Sequence, residues 1–212
     1  MLLWLLLLAG LALGVRARWP QQPEWSRKLL HIGAGLVVPL AWALGINRWI
    51  AIGAAALVTV LAAINHRRRL LPGIEDVGRS SVGTIAYGGS IALLLLLFWP
   101  EQAAAVTAGV LVMAFGDGLA GLVGSSVVSP SWRVLGQRRS LAGTLTMAIT
   151  SLGVLLGLAL VNAAIGLPAP SLAALVGLAL GAVLLEQIAL LGLDNFTVPI
   201  GTSLLWHLLS HS

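Results

Sequence analysis

The chain has 212 residues and no cysteine; 58% of its side chains are hydrophobic, only 9% are charged, and the net charge is +5 at pH 7. Soluble domains carry about 25% charged residues, so the composition excludes an ordinary soluble protein, and the missing cysteines exclude disulfides and thiolate metal sites. The positive charge does not point to nucleic acid, because the cations stand in short clusters between apolar runs, the pattern of membrane topology rather than of a nucleic-acid groove.

A spanning helix needs roughly 20 apolar residues. In chain order, apolar runs occupy 2–15, 29–46, 49–64, 81–99, 102–128, 141–167 and 171–193, and a shorter run, 196–209, follows. The reading is an all-α polytopic integral membrane bundle of about seven spans plus a short C-terminal helix. It forms a single domain over 1–212, with no room for a separate soluble one. The first run lacks the basic segment of a cleaved signal peptide, and it is read as a span whose N-terminus lies outside.

The connections alternate in charge. Arg16, Arg18, Arg27 and Lys28 fall in the first basic loop, Arg67, Arg68, Arg69 and Arg79 in the second, and Arg133, Arg138 and Arg139 in the third; the intervening turns hold only Arg48. Lys and Arg near span ends favour the cytoplasmic side, so the loops at 16–28, 65–80 and 129–140 are expected to face the cytoplasm. For Arg67, Arg68 and Arg69 the topological role alone is a sufficient account.

Against this pattern the segment AFGDGLAGLVG, 114–124, places Asp117 between two glycines inside an apolar run. A charged side chain at the centre of a spanning helix costs about 2.5–3.5 kcal/mol even on insertion scales, so such residues face an interior or a watery cavity and find partners. Glu24, Glu75, Asp76 and Glu101 lie in loops, whereas Asp117, Glu186 and Asp194 lie within or at the cytoplasmic ends of apolar helices. His31 is embedded too, and on a helix it shares a face with Arg27 and Lys28. A simple hydrogen bond to a neighbouring carbonyl is its alternative role. Three carboxylates with cations at one depth suit a metal–phosphate site: Mg²⁺ takes one or two carboxylates plus phosphate oxygens, and Arg and Lys neutralise the remaining phosphate charge.

Gly116 and Gly118 flank Asp117, and Gly121 and Gly124 continue at every third residue. Glycine admits close approach of a ligand; small-residue helix packing is the alternative. Downstream, in GQRRSLAGT at 136–144, Ser140 can cap a helix that starts at Leu141, with Arg138 and Arg139 beside its N-terminus and Gly143 in its first turn. A helix N-terminus with two cations makes an anion site, and no P-loop sequence is present.

These pieces together resemble the polyprenol kinase family of phytol kinases, dolichol kinases and CTP-dependent diacylglycerol kinases. The matching segments are RKLLHIGAGL (27–36), GRSSVGTIAYGGS (78–90), GDGLAGLVG (116–124), RRSLAGT (138–144) and GLDNFTVPIGTSLL (192–205), with Glu186 before the last. The short length and the LDNFTVP ending look most like phytol kinases. Family members often carry Lys where Arg139 stands and Glu where Ala142 stands, and the stretch between Gly124 and Gly136 is long. The resemblance implies transfer of the γ-phosphate of CTP to a lipid alcohol, phytol or another prenol, at the cytoplasmic side.

The expected roles follow from residues and resemblance together. Asp117 binds Mg²⁺, with activation of the substrate hydroxyl as its alternative, and Glu186 and Asp194 complete the metal shell or orient Lys28 and His31. Lys28 and His31 complete the catalytic group. Arg138, Arg139, Ser140, Gly143, Gly116, Gly118 and Asn195 face the nucleotide phosphates, a turn role being the alternative for Asn195. The lipid alcohol enters sideways from the bilayer, its hydroxyl stopping at the polar cavity. The competing classes are a phosphatidate cytidylyltransferase-like enzyme, a small polytopic transporter and a structural membrane protein.

Overall fold

Every apolar run forms a helix in the computed structural model of the protein, which describes residues 2–68 and 82–211. In chain order these are α1 (Leu2–Arg18), α2 (Pro23–Gly35), α3 (Val37–Ala43), α4 (Arg48–Arg68), α5 (Gly83–Phe98), α6 (Ala103–Leu111), α7 (Gly118–Ser126), α8 (Leu141–Ala164), α9 (Leu172–Ile188) and α10 (Asp194–Leu209). A π-helical turn, Val112–Asp117, joins α6 to α7 without a break. Arg69, Glu75, Asp76, Arg79 and the first part of the 78–90 segment lie outside the described residues.

The fold class is all-α, as the composition implies. Among the described residues, three helical units are long and apolar enough to cross a membrane by themselves: α4 with 21 residues, the continuous α6–α7 unit with 24, and α8 with 24. At 1.5 Å per residue, 24 residues reach about 36 Å, more than a hydrocarbon core of about 30 Å. The run at 29–46 is divided between α2 and α3, of 13 and 7 residues. Helices α5 and α9 are apolar but shorter, with 16 and 17 residues.

The α6–α7 unit is the central pillar. Its first half is apolar on every side and built of small residues, the pattern of a helix buried all round; Ala105, Val106, Ala108, Val110, Val112, Met113 and Ala114 are fully enclosed. Helices α2, α8 and α10 pack around it. Gly35 permits the close approach of α2, since a Cβ there would lie 2.3 Å from that of Ala114. The peripheral helices turn their large side chains outward: Leu57 and Leu61 on α4, Ile149 and Leu160 on α8, and Leu180 and Leu184 on α9 are exposed. In a bilayer these meet lipid at no cost.

The third basic loop contains structure that a loop reading does not anticipate. Strands β1 (Ser131–Val134) and β2 (Gln137–Ser140) form an antiparallel hairpin with Trp132 opposite Arg139 and Arg133 opposite Arg138. Its two turn residues, Leu135 and Gly136, have φ of 47° and 80°. Positive φ at both positions gives the turn whose twist matches paired strands.

Candidate functional site

Lys28 lies in the second turn of α2, a helix that begins at Pro23 and has its first turn built by Pro and Glu24. Its long side chain passes the open side of Gly121, where a Cβ would lie 2.7 Å from Lys28 Cε. The ammonium thereby reaches the end of the π-helical turn and donates to Asp117 Oδ2 at 2.6 Å and to the Asp117 carbonyl at 3.1 Å. Both partners are largely shielded, with side-chain exposures of 7% and 14%, so each needs the other for charge balance. His31, one turn on, places Nε2 3.6 Å from the same carboxylate oxygen and 3.3 Å from the Met113 carbonyl. Tyr87 of α5 closes this side: its ring lies 4.5 Å from the His31 ring, and its hydroxyl donates to the His31 carbonyl at 3.3 Å.

A second group comes from the turn between α9 and α10. Glu186 is buried near the end of α9, and Asp194 opens α10. Asp117, Glu186 and Asp194 each offer a carboxylate oxygen, and these oxygens all lie within 4.8 Å of one another. Asn195 donates to Asp194 Oδ1 from its backbone N–H at 3.0 Å and from its side-chain amide at 3.2 Å.

Arg139 links the hairpin to this cluster. Its guanidinium binds the Glu186 carboxylate and the Glu186 carbonyl, and it donates to the Ala189 carbonyl at 3.2 Å. A cation on the last carbonyls of α9 complements that helix's negative end. On the same face of the hairpin, Trp132 Nε1 donates to Gln187 Oε1 at 3.3 Å, and Gln187 donates to Glu186 Oε2 at 2.9 Å and to Thr144 Oγ1 at 3.0 Å. Adjacent strand residues point to opposite faces, so Arg138 projects away from Arg139 and is exposed.

Ser140 caps α8, accepting the Gly143 N–H at 3.2 Å. The Leu141 N–H goes to the Pro130 carbonyl at 2.9 Å, and the Ala142 N–H to Ser129 Oγ at 3.2 Å. The first donors of α8 thus have acceptors inside the chain, because the hairpin folds back over them. Gly143 meets Gly124 of α7, whose absent Cβ would lie 3.2 Å from the Gly143 Cα. Likewise the open sides of Gly116 and Gly118 are filled by Met147 and Ile32. These four glycines let helices approach closely and thereby set where Asp117 stands.

Of the residues singled out from sequence, Asp117, Lys28, His31, Glu186, Asp194, Asn195 and Arg139 converge at one end of the bundle, whereas Arg138 lies on the outer face of the hairpin. Trp132, Tyr87, Thr144 and Gln187 join the site without having been anticipated. The one signal for the first is Gly136 placed after SWRV, which alternates polar and apolar, although the facing strand QRRS is polar throughout.

The site's donor set suits a cation and phosphates. The three carboxylates supply hard oxygen ligands, Asn195 Oδ1 is a buried acceptor without a hydrogen-bond partner, and Arg139 Nε is a buried donor without one. One curated relative is a phytol kinase from Synechocystis sp., 39% identical over 183 residues, covering 86% of this chain and 78% of the relative. The chain belongs to the polyprenol kinase family. It is therefore a lipid alcohol kinase, a phosphotransferase with an alcohol acceptor, which selects this class over the cytidylyltransferase-like and transporter readings. No family model matches the chain, and no solved structure does.

Proposed function

We propose that the protein transfers the γ-phosphate of CTP to the hydroxyl of phytol or a related prenol, with Mg²⁺, at the cytoplasmic face of the membrane. The observation that carries this reading is the convergence of three carboxylate oxygens within 4.8 Å, flanked by Lys28 on one side and Arg139 on the other. The relative's name supports phytol as the acceptor. The charge asymmetry of the loops supports the cytoplasmic side.

Phosphoryl transfer asks a protein mainly for positioning and neutralisation of charge. Asp117, Glu186 and Asp194 would hold the Mg²⁺, which when bound neutralises charge on the transferring phosphoryl group. Lys28 fixes the Asp117 carboxylate and adds positive charge beside it. His31, held between Asp117 and the Met113 carbonyl, is placed to exchange a proton with the acceptor hydroxyl. Activation of that hydroxyl by Asp117 is the second role open to this carboxylate. Arg139, through its free Nε, faces the nucleotide phosphates, and Asn195, through the free acceptor Oδ1, takes a hydrogen bond from a ribose hydroxyl. Arg138 supplies charge at the rim, and Ser140 and Gly143 set the positive end of α8 near them. Gly116 and Gly118 serve through the close packing that places Asp117.

The test is an assay of membranes carrying the full chain with γ-labelled CTP and a panel of phytol, longer prenols and diacylglycerol. Labelled phytyl phosphate with release of CDP is expected, lost on chelation and restored by Mg²⁺. Release of pyrophosphate, or activity that persists under chelation, overturns the reading.

A further inference from the structure

A lipid alcohol has two parts, and the carboxylate cluster accounts only for the hydroxyl. Its apolar chain needs a surface that is continuous with the cluster and open to hydrocarbon. Among the described residues, a groove of about 210 Å³ lies between the end of α9 and the start of α10, lined by Leu185, Ile188, Ala189, Leu190, Leu193 and Thr197. We infer that this groove seats the apolar chain of the substrate, with its carbon nearest the hydroxyl at the Glu186–Asp194 end. The inference rests on the reading of the carboxylate cluster as the phosphoryl-transfer site.

Continuity with the cluster comes from helix geometry. Ala189 caps the end of α9 and donates its N–H to the Glu186 carbonyl at 3.3 Å, and on α10 Thr197, three residues after Asp194, shares its helix face. Gly201 continues that face of α10, and a Cβ there would lie 2.7 Å from Leu185 Cδ1. Leu185 therefore closes the far end of the groove. From Asp194 to Gly201 the axial rise is about 10 Å at 1.5 Å per residue. The wall is tied to the site through Arg139, which binds both Glu186 and the Ala189 carbonyl.

The chemistry of the lining fits a hydrocarbon chain. Thr197, the one polar side chain, donates its hydroxyl back to the Leu193 carbonyl at 3.1 Å and so makes no demand on a ligand. Ile188 and Leu193 are 57% and 46% exposed. The turn that presents Leu190 and Leu193 places Leu191 and Gly192 at φ of 53° and 86°. A left-handed leucine is an unfavourable conformation that the surrounding structure must hold. A larger apolar groove of about 590 Å³ runs along α1, but its walls lie between Leu3 and Trp19, with no residue beside the carboxylates in the chain, whereas Leu185 and Leu193 directly adjoin Glu186 and Asp194.

The experiment uses the full chain in membranes and compares a C20 prenol with a C5 prenol that shares its allylic hydroxyl. Thr197→Trp is expected to lower kcat/KM for the C20 alcohol about tenfold, through KM, because lost contact with two methylenes suffices for that factor. Turnover of the C5 alcohol should change less than twofold. Equal loss on both substrates, or no loss on either, overturns the proposal. Asp117→Asn runs in parallel: if it stays active, the reading of the cluster fails, while the chain-length comparison still reads the groove. A second measurement needs no variant. A C20 prenol bearing a diazirine on its chain should label residues 185–197 of the unaltered protein, and excess unlabelled prenol should suppress the label. Labelling along α1, or labelling that prenol does not suppress, overturns the assignment.

Discussion

Lys28 and Asp117 form an ion pair 2.6 Å apart in the contact between α2 and the pillar, with His31 beside it. Removing one partner of such a pair strands a charge in a poorly hydrated place, at a cost of about 3–5 kcal/mol, whereas replacing both by apolar residues can be neutral. Lys28→Met is therefore expected to lower the melting temperature in detergent by several degrees. The double variant Lys28→Met with Asp117→Leu should recover most of that stability yet show no kinase activity. A double variant as unstable as the single one would show that the pair is not the cause. Asp117→Asn keeps size and an acceptor for Lys28 but leaves the ammonium without its counter-charge, so its melting temperature is read beside its turnover. Turnover should fall about 100-fold or more, since each 1.36 kcal/mol of lost transition-state stabilisation is tenfold, with insertion and expression retained.

At the level of elements, the hairpin clamps the end of α9. Arg139 reaches three acceptors there, one carboxylate oxygen and two carbonyls, and a planar fork can do this where an ammonium cannot. Arg139→Lys keeps the charge and should cost less than tenfold in kcat/KM for the nucleotide. Arg139→Gln should cost more, with a raised KM for the nucleotide and weakened dependence on Mg²⁺, because Glu186 loses its partner. Arg138→Gln is expected to have the smaller effect, since Arg138 lies on the exposed face of the strand. Kinetics at varied nucleotide and Mg²⁺ read these differences directly, and a larger effect at Arg138 than at Arg139 would contradict the arrangement. The contact between α7 and α8 offers a second element-scale check. Gly143→Val would drive methyl groups into the Ala120 carbonyl and Gly124, where even a Cβ would lie 3.2 and 3.4 Å away. Overpacking of this kind costs about 1–3 kcal/mol, seen as a lower unfolding temperature.

For the whole molecule, the acids and cations of the site come from four helical units, α2, the pillar, α9 and α10, and one hairpin, yet they sit together. Lys28 is near the start of α2, Asp194 at the start of α10, and Glu186 near the end of α9. The positive-inside preference predicts that the end carrying the hairpin faces the cytoplasm. Single cysteines at Ser131 in the hairpin and at Asn47 between α3 and α4 should accordingly label from opposite sides of sealed vesicles. Labelling from one side would refute the orientation without touching the site geometry.

The sequence by itself determined the membrane class, the helical content and the identity of the charged residues, and the physical reason is the cost of burial. A charge in an apolar run is too unfavourable to persist without a purpose, so Asp117, Glu186, Asp194 and His31 were visible against a background of leucine, alanine and glycine, and Lys28 through its helical spacing to His31. The RKLLH and GDGLAGLVG segments carried the family resemblance for the same reason. Tertiary structure alone decided which of these residues meet. Periodicity along one helix says nothing about the partner across a helix pair, so the 2.6 Å contact of Lys28 with Asp117 and the hold of Arg139 on Glu186 had no sequence signal. It also decided what the glycines do, because a missing Cβ serves a ligand or a neighbouring helix equally well until the neighbour is in place; at Gly116 and Gly118 the neighbours are Met147 and Ile32. The hairpin was hidden because its strands are four residues long and mostly exposed, too short for a pattern of alternation. Its register, which turns Arg139 toward the carboxylates and Arg138 away from them, is set by the two-residue turn at Leu135 and Gly136 and exists only once the strands pair.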